Sequence, residues 1–516
     1  MSEFGFWNVA VAEPDHVALV EPEGRELSAG ELLEGANQLV HGLRHLGLQR
    51  GDCIAAVLPN GAAMIELYLA AGQGGWYLTP INHHLTAAEI AYIVQDADAK
   101  VFVAGDRFAA AARKAADESA LPAHARLAVG PVPGFRPYDD VKRGQPCTAP
   151  SDRAAGQVMN YTSGTTGRPK GVRRPLPDID PDTMASMFAM FLAMFGITPK
   201  DNGVHLTGSP LYHTAVLMFA GSSLHFGHTL VLMDKWTPEA CLAAIDRYRV
   251  TTTHMVPTQF HRLLALPEDV KARYDVSSMR HAIHAAAPCP IDVKRRMLTW
   301  WGPVIYEYYA ASEGGGTLVT PTEWLQYPGT VGRAWPTSEV RVLDDDGRDC
   351  PAGQPGTVYM SLGVANFEYH KDREKTEANR RDGFFTVGDV GYLNDAGYLF
   401  LCDRKTDMII SGGVNIYPAE VEAALLSHPK VGDAAVFGIP HEDWGEEVKA
   451  VIEPAVGIDP SPRLADEIIA FCLERIAKYK CPRTIDFIEA MPRDPNGKLY
   501  KRKLRDPYWK GRERAI

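Results

Sequence analysis

No CxxC pair occurs in this chain. Its eight cysteines, at 53, 147, 241, 289, 350, 402, 472 and 481, form no metal-ligand cluster with histidines, so the thiols read as structural, in a reduced compartment. Long apolar runs are missing too. The most nearly unbroken one, MASMFAMFLAMFGI from Met184 to Ile197, is about a third short of the roughly 20 residues of a membrane span and predicts a buried helix. Basic residues are not in excess: the formal net charge of −11 argues against a general nucleic-acid binder but is compatible with a local basic site for phosphates. The opening stretch MSEFGFWNVAVAEPD has no basic region followed by an apolar core, so no secretory signal is expected, and the expected location is the cytoplasm. No fixed-period repeat or low-complexity tract is visible.

What is present is an ordinary globular composition, 46% hydrophobic and 23% charged over 516 residues, long enough for two or more domains and a large core. ELSAGELLEGANQLVHGLRHLG opens with Ser28 and has Glu31 three residues on, the pattern of a capping box, followed by apolar residues at helical spacing. CIAAVLPN then reads as a strand and AAMIELYLAAGQGG as a helix. The alternation continues through AKVFVAG, HTLVLMD and EACLAAIDRYRV, which predicts layered α/β sheets with largely parallel strands. Near residue 330 the texture changes: EVRVLDDDGRDCPAGQPGTVYMSL predicts short strands joined by Asp/Gly turns, a small β-rich subdomain over about 330–402. Beyond DRKTDMIISGG a compact α+β unit follows, with helices around AEVEAALLSHP and ADEIIAFCLERIAKYK and strands at AAVFGI and KAVIEP. The expected division is an N-terminal domain over 1–402 and a C-terminal domain over 403–516, with a hinge at 403–407.

The most telling stretch is YTSGTTGRPKGV, Tyr161 to Val172. Glycines allow backbone N–H groups to form a concave nest for an anion, and hydroxyls and a lysine add donors and charge, so a polyphosphate is the natural ligand. It is not a GxxxxGK[ST] loop, because Pro169 precedes Lys170 and Gly171 follows it.

Five further stretches stand in register with it: PLYHT at 210–214, YEYYAASEGGG at 306–316, VGD at 387–389, DRKTDMIISGGVNIYP at 403–418 and PRDPNGKLYKRKLR at 492–505. In this order and spacing the chain resembles the AMP-forming adenylating superfamily, which includes acyl-CoA synthetases, luciferases and peptide-synthetase adenylation domains; the resemblance covers nearly the whole chain and is closest to fatty-acyl-CoA synthetases. It implies a carboxylic acid–CoA ligase: a carboxylate attacks the α-phosphate of ATP, pyrophosphate leaves, and a thiol then attacks the acyl-adenylate. On that reading Thr162, Ser163, Gly164, Thr165, Thr166 and Gly167 cradle the β- and γ-phosphates, with Lys170 neutralising charge or holding the loop. Tyr309 stacks on the adenine, flanked by Tyr308 and Ala310, while Ala285, Ala286 and Ala287 cover the other adenine face. Ser312 bonds the α-phosphate and Glu313 holds Mg²⁺, whose hard oxygen preference suits a carboxylate plus phosphates. Asp389 and Arg404 take the ribose hydroxyls. His213 stands at the junction of acyl pocket and thiol channel. Lys498 bridges the carboxylate and the α-phosphate, and Gly412 and Gly413 line the pantetheine arm of CoA.

Some positions depart from the family's usual choice. Ser312 stands for threonine, Val387 for the threonine of TGD, Ala310 for glycine, and Thr406 for the usual Asp or Lys of the hinge. Val387 and Ala310 raise an alternative in which the enzyme performs only thioester formation on acyl-AMP supplied by a partner adenylating enzyme. No aspartate accompanies the His213 motif, which opposes an amino acid substrate. Met184, Met187, Phe188, Phe191, Phe195, Met218 and Phe219 are the expected pocket wall, with Ala285–Ala287 and Gly314–Gly316 keeping it roomy. A medium- or long-chain fatty acid or a bulky polycyclic acid of steroid or terpenoid type fits that wall. No carrier-protein domain follows residue 516, which favours free CoA over a separate carrier protein as acceptor. A homodimer is left open.

Overall fold

A computed structural model describes residues 4–162, 169–361, 367–404, 406–493 and 499–510. The predicted alternation of strands and helices builds two large sheets. In the first, six strands run in the order Arg136–Pro137, Arg126–Val129, Ala99–Gly105, Cys53–Val57, Tyr77–Pro80, Gln157–Val158, all neighbours parallel. The second has nine strands, in the order Arg333–Ala334, Gly314–Val319, Ile305–Ala311, His281–His284, Thr252–Met255, Val204–Thr207, Thr229–Leu232, Val17–Val20, Glu26–Ser28. Its interior is parallel and both edges are antiparallel. Parallel strands need both faces covered. The helices Ala29–His45, Ala62–Gly74 and Thr214–His225 accordingly contribute to one continuous core shared by the two sheets, from Leu19 and Leu230 to Ile54 and Leu78. The predicted capping box starts the first of these helices: Ser28 Oγ accepts from the Glu31 N–H at 3.2 Å, and Glu31 accepts from the Ser28 N–H at 2.8 Å.

The β-rich region is an antiparallel six-stranded sheet that includes Glu339–Leu343, Gly356–Ser361, Asp389–Leu393 and Leu399–Arg404. The expected start near 330 needs adjusting, because Arg333–Ala334 adds to the edge of the nine-stranded sheet instead. From Ile409 onward the chain forms a small α+β domain with its own five-stranded sheet. Among the described residues, its two hydrophobic clusters draw on side chains from Ile409 to Leu504. Within it the second predicted helix is shorter than expected, Pro462–Leu473, followed by a short 3₁₀ turn at Lys478–Lys480. The helix Pro257–Leu264 of the large domain meets the small one where His261 faces Asp433 and the Gly432 backbone. Among the described residues no helix is long and apolar enough to cross a membrane, and all eight cysteines are free.

The run at Met184–Ile197 forms the helix Pro181–Ala193, but it is not buried as expected. Ala185, Ala189 and Leu192 face the core, whereas Met187 is 62% exposed, Phe188 37% and Met190 56%. A helix on the surface of an α/β layer buries only one stripe, and this apolar run continues around the outer side.

Behind the site strands lies a buried ion pair. Lys294, on the helix Ile291–Trp301, donates to Glu307 Oε2 at 2.5 Å and sits 4.8 Å from the centroid of the Trp324 ring. His284 Nε2 is 3.4 Å from the same Glu307 oxygen. Burial raises the Glu307 carboxyl above its usual range while the Lys294 ammonium pulls it back. Removing one partner strands the other charge in a low-dielectric interior. Lys294→Met is expected to destabilise the protein by about 3–5 kcal/mol, and adding Glu307→Leu should recover most of the loss; urea denaturation of the three proteins checks this.

Burial also holds several histidines neutral: His205 is pushed down to about 3 and His254 to about 4. An unfolded chain protonates such groups near 6.5. As the pH falls through that value the unfolded state takes up protons that the native state refuses, so stability is lost progressively from about pH 6.5 towards pH 4. The melting temperature should drop between pH 7 and pH 5, and His254→Gln should flatten that slope.

Candidate active site

The Gly/Ser/Thr segment is the connection of a β-hairpin. Asn160–Thr162 and Lys170–Arg173 pair antiparallel, with Thr162 opposite Lys170 and Tyr161 opposite Gly171. Register therefore holds the two ends of the segment together; Ser163, Gly164, Thr165, Thr166 and Gly167 themselves lie outside the described residues. A side chain at Gly171 would press on the Tyr161 ring, 3.0 Å away, and that ring is fixed by its hydroxyl, which donates to Asp96 at 2.7 Å. Lys170 is not simply solvated, for its ammonium pairs with the Asp372 carboxylate.

The strand Ile305–Ala311 brings two of the sequence motifs into contact. Tyr309 donates its hydroxyl to Asp389 Oδ2 at 2.6 Å, and Arg404 Nε lies 3.4 Å from Asp389 Oδ1. Asp389 and Arg404 face one another across an antiparallel pair, which brings these two together. Burial, then the Asp389 charge, drives the Tyr309 hydroxyl well above its usual range. Tyr308 does not join this group. Strand alternation turns it to the opposite face, where its hydroxyl is 3.1 Å from His254 Nε2 and its ring enters an aromatic cluster. Across the sheet, Ala285 is buried, Ala286 exposed and Ala287 half-buried. Ala286 holds a φ of 72°, a left-handed conformation that costs an alanine about 1–2 kcal/mol.

Past the strand, Ser312 Oγ is 3.3 Å from Thr214 Oγ1. Thr214 begins the helix Thr214–His225, for which the half-buried His213 is the N-cap residue, its ring 4.3 Å from that of Tyr212. The 310–312 region thus meets the PLYHT loop. Glu313 is 6% exposed and its Oε1 accepts from the Tyr369 hydroxyl at 2.7 Å. Arg174 donates to the Ser312 carbonyl. Among the described residues there is no group of three or more His, Cys, Asp or Glu side chains placed to hold a metal. Glu313, a buried carboxylate bonded to the Tyr369 hydroxyl, suits a hard cation whose remaining ligands are phosphate oxygens and water.

Gly412 and Gly413, with φ of 57° and 78°, form the two-residue turn between Ile409–Ser411 and Val414–Ile416. Two successive positive φ values define a turn that favours glycine. Lys498 lies outside the described residues; an antiparallel bridge joins Arg493 and Leu499 on either side of its segment.

The expected pocket wall is only partly gathered. Phe191, Phe195, Phe219 and Tyr308 pack together, with Phe191 and Phe219 centroids 5.3 Å apart, and Trp335 closes on Phe191 at 6.1 Å. Met187 and Phe188 are on the exposed side of their helix. The room expected at Gly316 is filled: a side chain there would fall 2.4 Å from the Tyr309 carbonyl oxygen and 2.5 Å from the Trp335 ring. Trp335, Tyr369, Asp372 and Arg174 were not singled out from sequence, since none lies in a motif. Two adjacent arginines, Arg173 and Arg174, directly after the Gly/Ser/Thr segment were the one visible signal.

The described geometry joins motifs from the whole chain, and comparison with known proteins agrees. The model of the AMP-binding enzyme family matches residues 6–365, and that of the AMP-binding enzyme C-terminal domain matches residues 420–498. The chain belongs to the AMP-binding enzyme family. Members similar to it include a feruloyl-CoA synthase of an Amycolatopsis species, 32% identical with 97% of this chain and 98% of the relative covered. The fatty acid–[acyl-carrier-protein] ligase ScoC of Streptomyces coeruleorubidus is 30% identical over 96% of this chain and 94% of its own. Among solved structures, ATP-bound MatB from Rhodopseudomonas palustris superposes with a TM-score of 0.82 at 28% identity, covering 98% of this chain and 99% of that one. This AMP-binding enzyme is therefore an adenylate-forming ligase by family, within a group whose acids and acceptors vary.

Because Ala286 pays a left-handed penalty that glycine avoids, Ala286→Gly should stabilise the protein by up to about 1 kcal/mol; thermal melts of the two proteins check this.

Proposed function

We propose that this AMP-binding enzyme is an ATP-dependent acyl-CoA ligase that activates a hydrophobic carboxylic acid as its acyl-adenylate and passes the acyl group to CoA. The observation that carries the reading is the convergence of Tyr309, Asp389, Arg404, Ser312 and Glu313 from three separate motifs beside the hairpin that bears the phosphate segment. The nucleotide would lie with its adenine between Tyr309 and the Ala285–Ala287 turn. Its ribose hydroxyls would displace the Tyr309 hydroxyl from Asp389, whose ionised oxygens accept hydrogen bonds. Thr162 to Gly167 would receive the β- and γ-phosphates, with Lys170 exchanging Asp372 for them or bracing the hairpin through it. Ser312 would donate to the α-phosphate. Glu313 would hold Mg²⁺, which when bound supplies neutralising charge to the phosphates.

Lys498 would place its ammonium between the attacking carboxylate and the α-phosphate, where negative charge gathers; such electrostatic contacts are often the largest single catalytic contribution. Since it lies on the small domain, that domain would swing about 403–407 between half-reactions, taking Lys498 away and bringing Gly412 and Gly413 to the thiol path. Support for a hinge there comes from the separate core of the small domain.

For the acid, the aromatic cluster of Phe191, Phe195, Phe219 and Trp335 supports a medium- or long-chain fatty acid or a bulky polycyclic acid, with the rings parting to admit it. The cosubstrate is free CoA. The carrier-protein acceptor named for ScoC is the specific alternative. Exclusive use of acyl-AMP from a partner enzyme loses some ground at Val387, which packs on the core of the β-rich sheet.

The test separates the two half-reactions: pyrophosphate release from ATP across a panel of fatty, aromatic, steroid and terpenoid acids, and thioester formation from the matching synthetic adenylates with CoA or a carrier protein. The complete ligase performs both with CoA, and Lys498→Ala lowers the first about a hundredfold or more. Thioester formation without pyrophosphate release would replace this reading by a non-adenylating ligase.

A further inference from the structure

Arg174 leaves the strand Lys170–Arg173 at the foot of the phosphate hairpin. Its backbone is fixed there, for its carbonyl accepts from the Tyr77 hydroxyl at 2.7 Å. The guanidinium reaches inward and donates through Nη2 to the Ser312 carbonyl. Among the described residues this carbonyl is its one hydrogen-bond acceptor. The side chain is largely withdrawn from water, which weakens its hold on the proton, and the Glu313 carboxylate acts against that loss. A guanidinium has five N–H donors in a rigid fork, and desolvating it is costly unless they are used. The bond to Ser312 and the nearby Glu313 charge place the guanidinium beside that segment.

The geometry points to Arg174 as a fixed cation for the nucleotide: one N–H holds the Ser312 segment, and the others bind phosphate oxygens beside Glu313. This rests on the ATP site of the proposed function and goes beyond it. Arginine suits the task because its planar fork matches phosphate oxygens and its charge does not titrate away near neutral pH. The consequence is a particular division of labour with the divalent ion. Arg174 and Mg²⁺ both neutralise the phosphates, so the enzyme retains ATP affinity when the metal is withdrawn, and it does so through this side chain.

The experiment is calorimetric titration of the full chain with ATP in the absence of acid substrate, once in excess EDTA and once with Mg²⁺, using the wild type, Arg174→Gln and Arg174→Lys, each checked by circular dichroism. Loss of a charge-assisted phosphate contact should weaken metal-free binding by Arg174→Gln about tenfold or more, with a smaller loss for Arg174→Lys, which keeps the charge without the fork. The ratio of metal-free to Mg²⁺ dissociation constants should widen in Arg174→Gln, because the metal then supplies neutralisation alone. A folded Arg174→Gln with unchanged metal-free affinity overturns the assignment while leaving the ATP site standing; a wild type that binds no ATP in either condition overturns the site as well. Should Arg174→Gln fail to fold, Glu313→Gln decides. With Arg174 present and the competing carboxylate gone, metal-free ATP binding should tighten, and unchanged or weaker binding overturns the proposal.

Discussion

The strand Ile305–Ala311 must serve two faces at once, and much of the molecule is arranged to let it do so. Pleating sends Tyr306 and Tyr308 into the aromatic cluster under the helices Pro181–Ala193 and Thr214–His225, and sends Glu307 and Tyr309 to the other side. One residue pairs with Lys294 deep in the large domain, and another reaches across to Asp389 in the β-rich sheet. The same few residues therefore anchor the parallel sheet, wall the apolar cluster and contact the antiparallel sheet. A one-residue slip would exchange the faces and break all three.

The candidate site is built from side chains that satisfy one another. Tyr309 and Arg404 occupy Asp389, Tyr369 occupies Glu313, Asp372 occupies Lys170 and Thr214 meets Ser312. Each is a hydrogen bond or ion pair that a ligand with several phosphates and hydroxyls could replace with its own. Buried polar groups kept paired in this way avoid the cost of unsatisfied desolvation.

The alternation of strands and helices, the Ser28–Glu31 capping box and the separate small domain were legible in the sequence, because each depends on local spacing and composition. The motif stretches were visible in the sequence as well. Their partners were not: Tyr369 lies 56 residues from Glu313 and Ser312 lies 138 from Arg174, and only sheet register and chain crossings bring them together. The same reason accounts for Trp335, whose ring lies against Gly316, where a run of three glycines had suggested room. Tyr308 and Tyr309 are indistinguishable by type, and pleating alone separates their roles. The outward methionines and phenylalanine of 187–190 misled because composition announces an apolar run, not which side of a helix is covered.

Among the described residues, the hydrophobic clusters of the small domain borrow no side chain from the large one. A rotation of that domain would thus carry a finished body, and no apolar area of its interior would be exposed on the way. The work of moving it would fall on surface contacts such as His261 against Gly432 and Asp433. Such a division would let two orientations lie close in free energy, with a ligand bound between the domains, and not the folding of either, selecting the one that prevails.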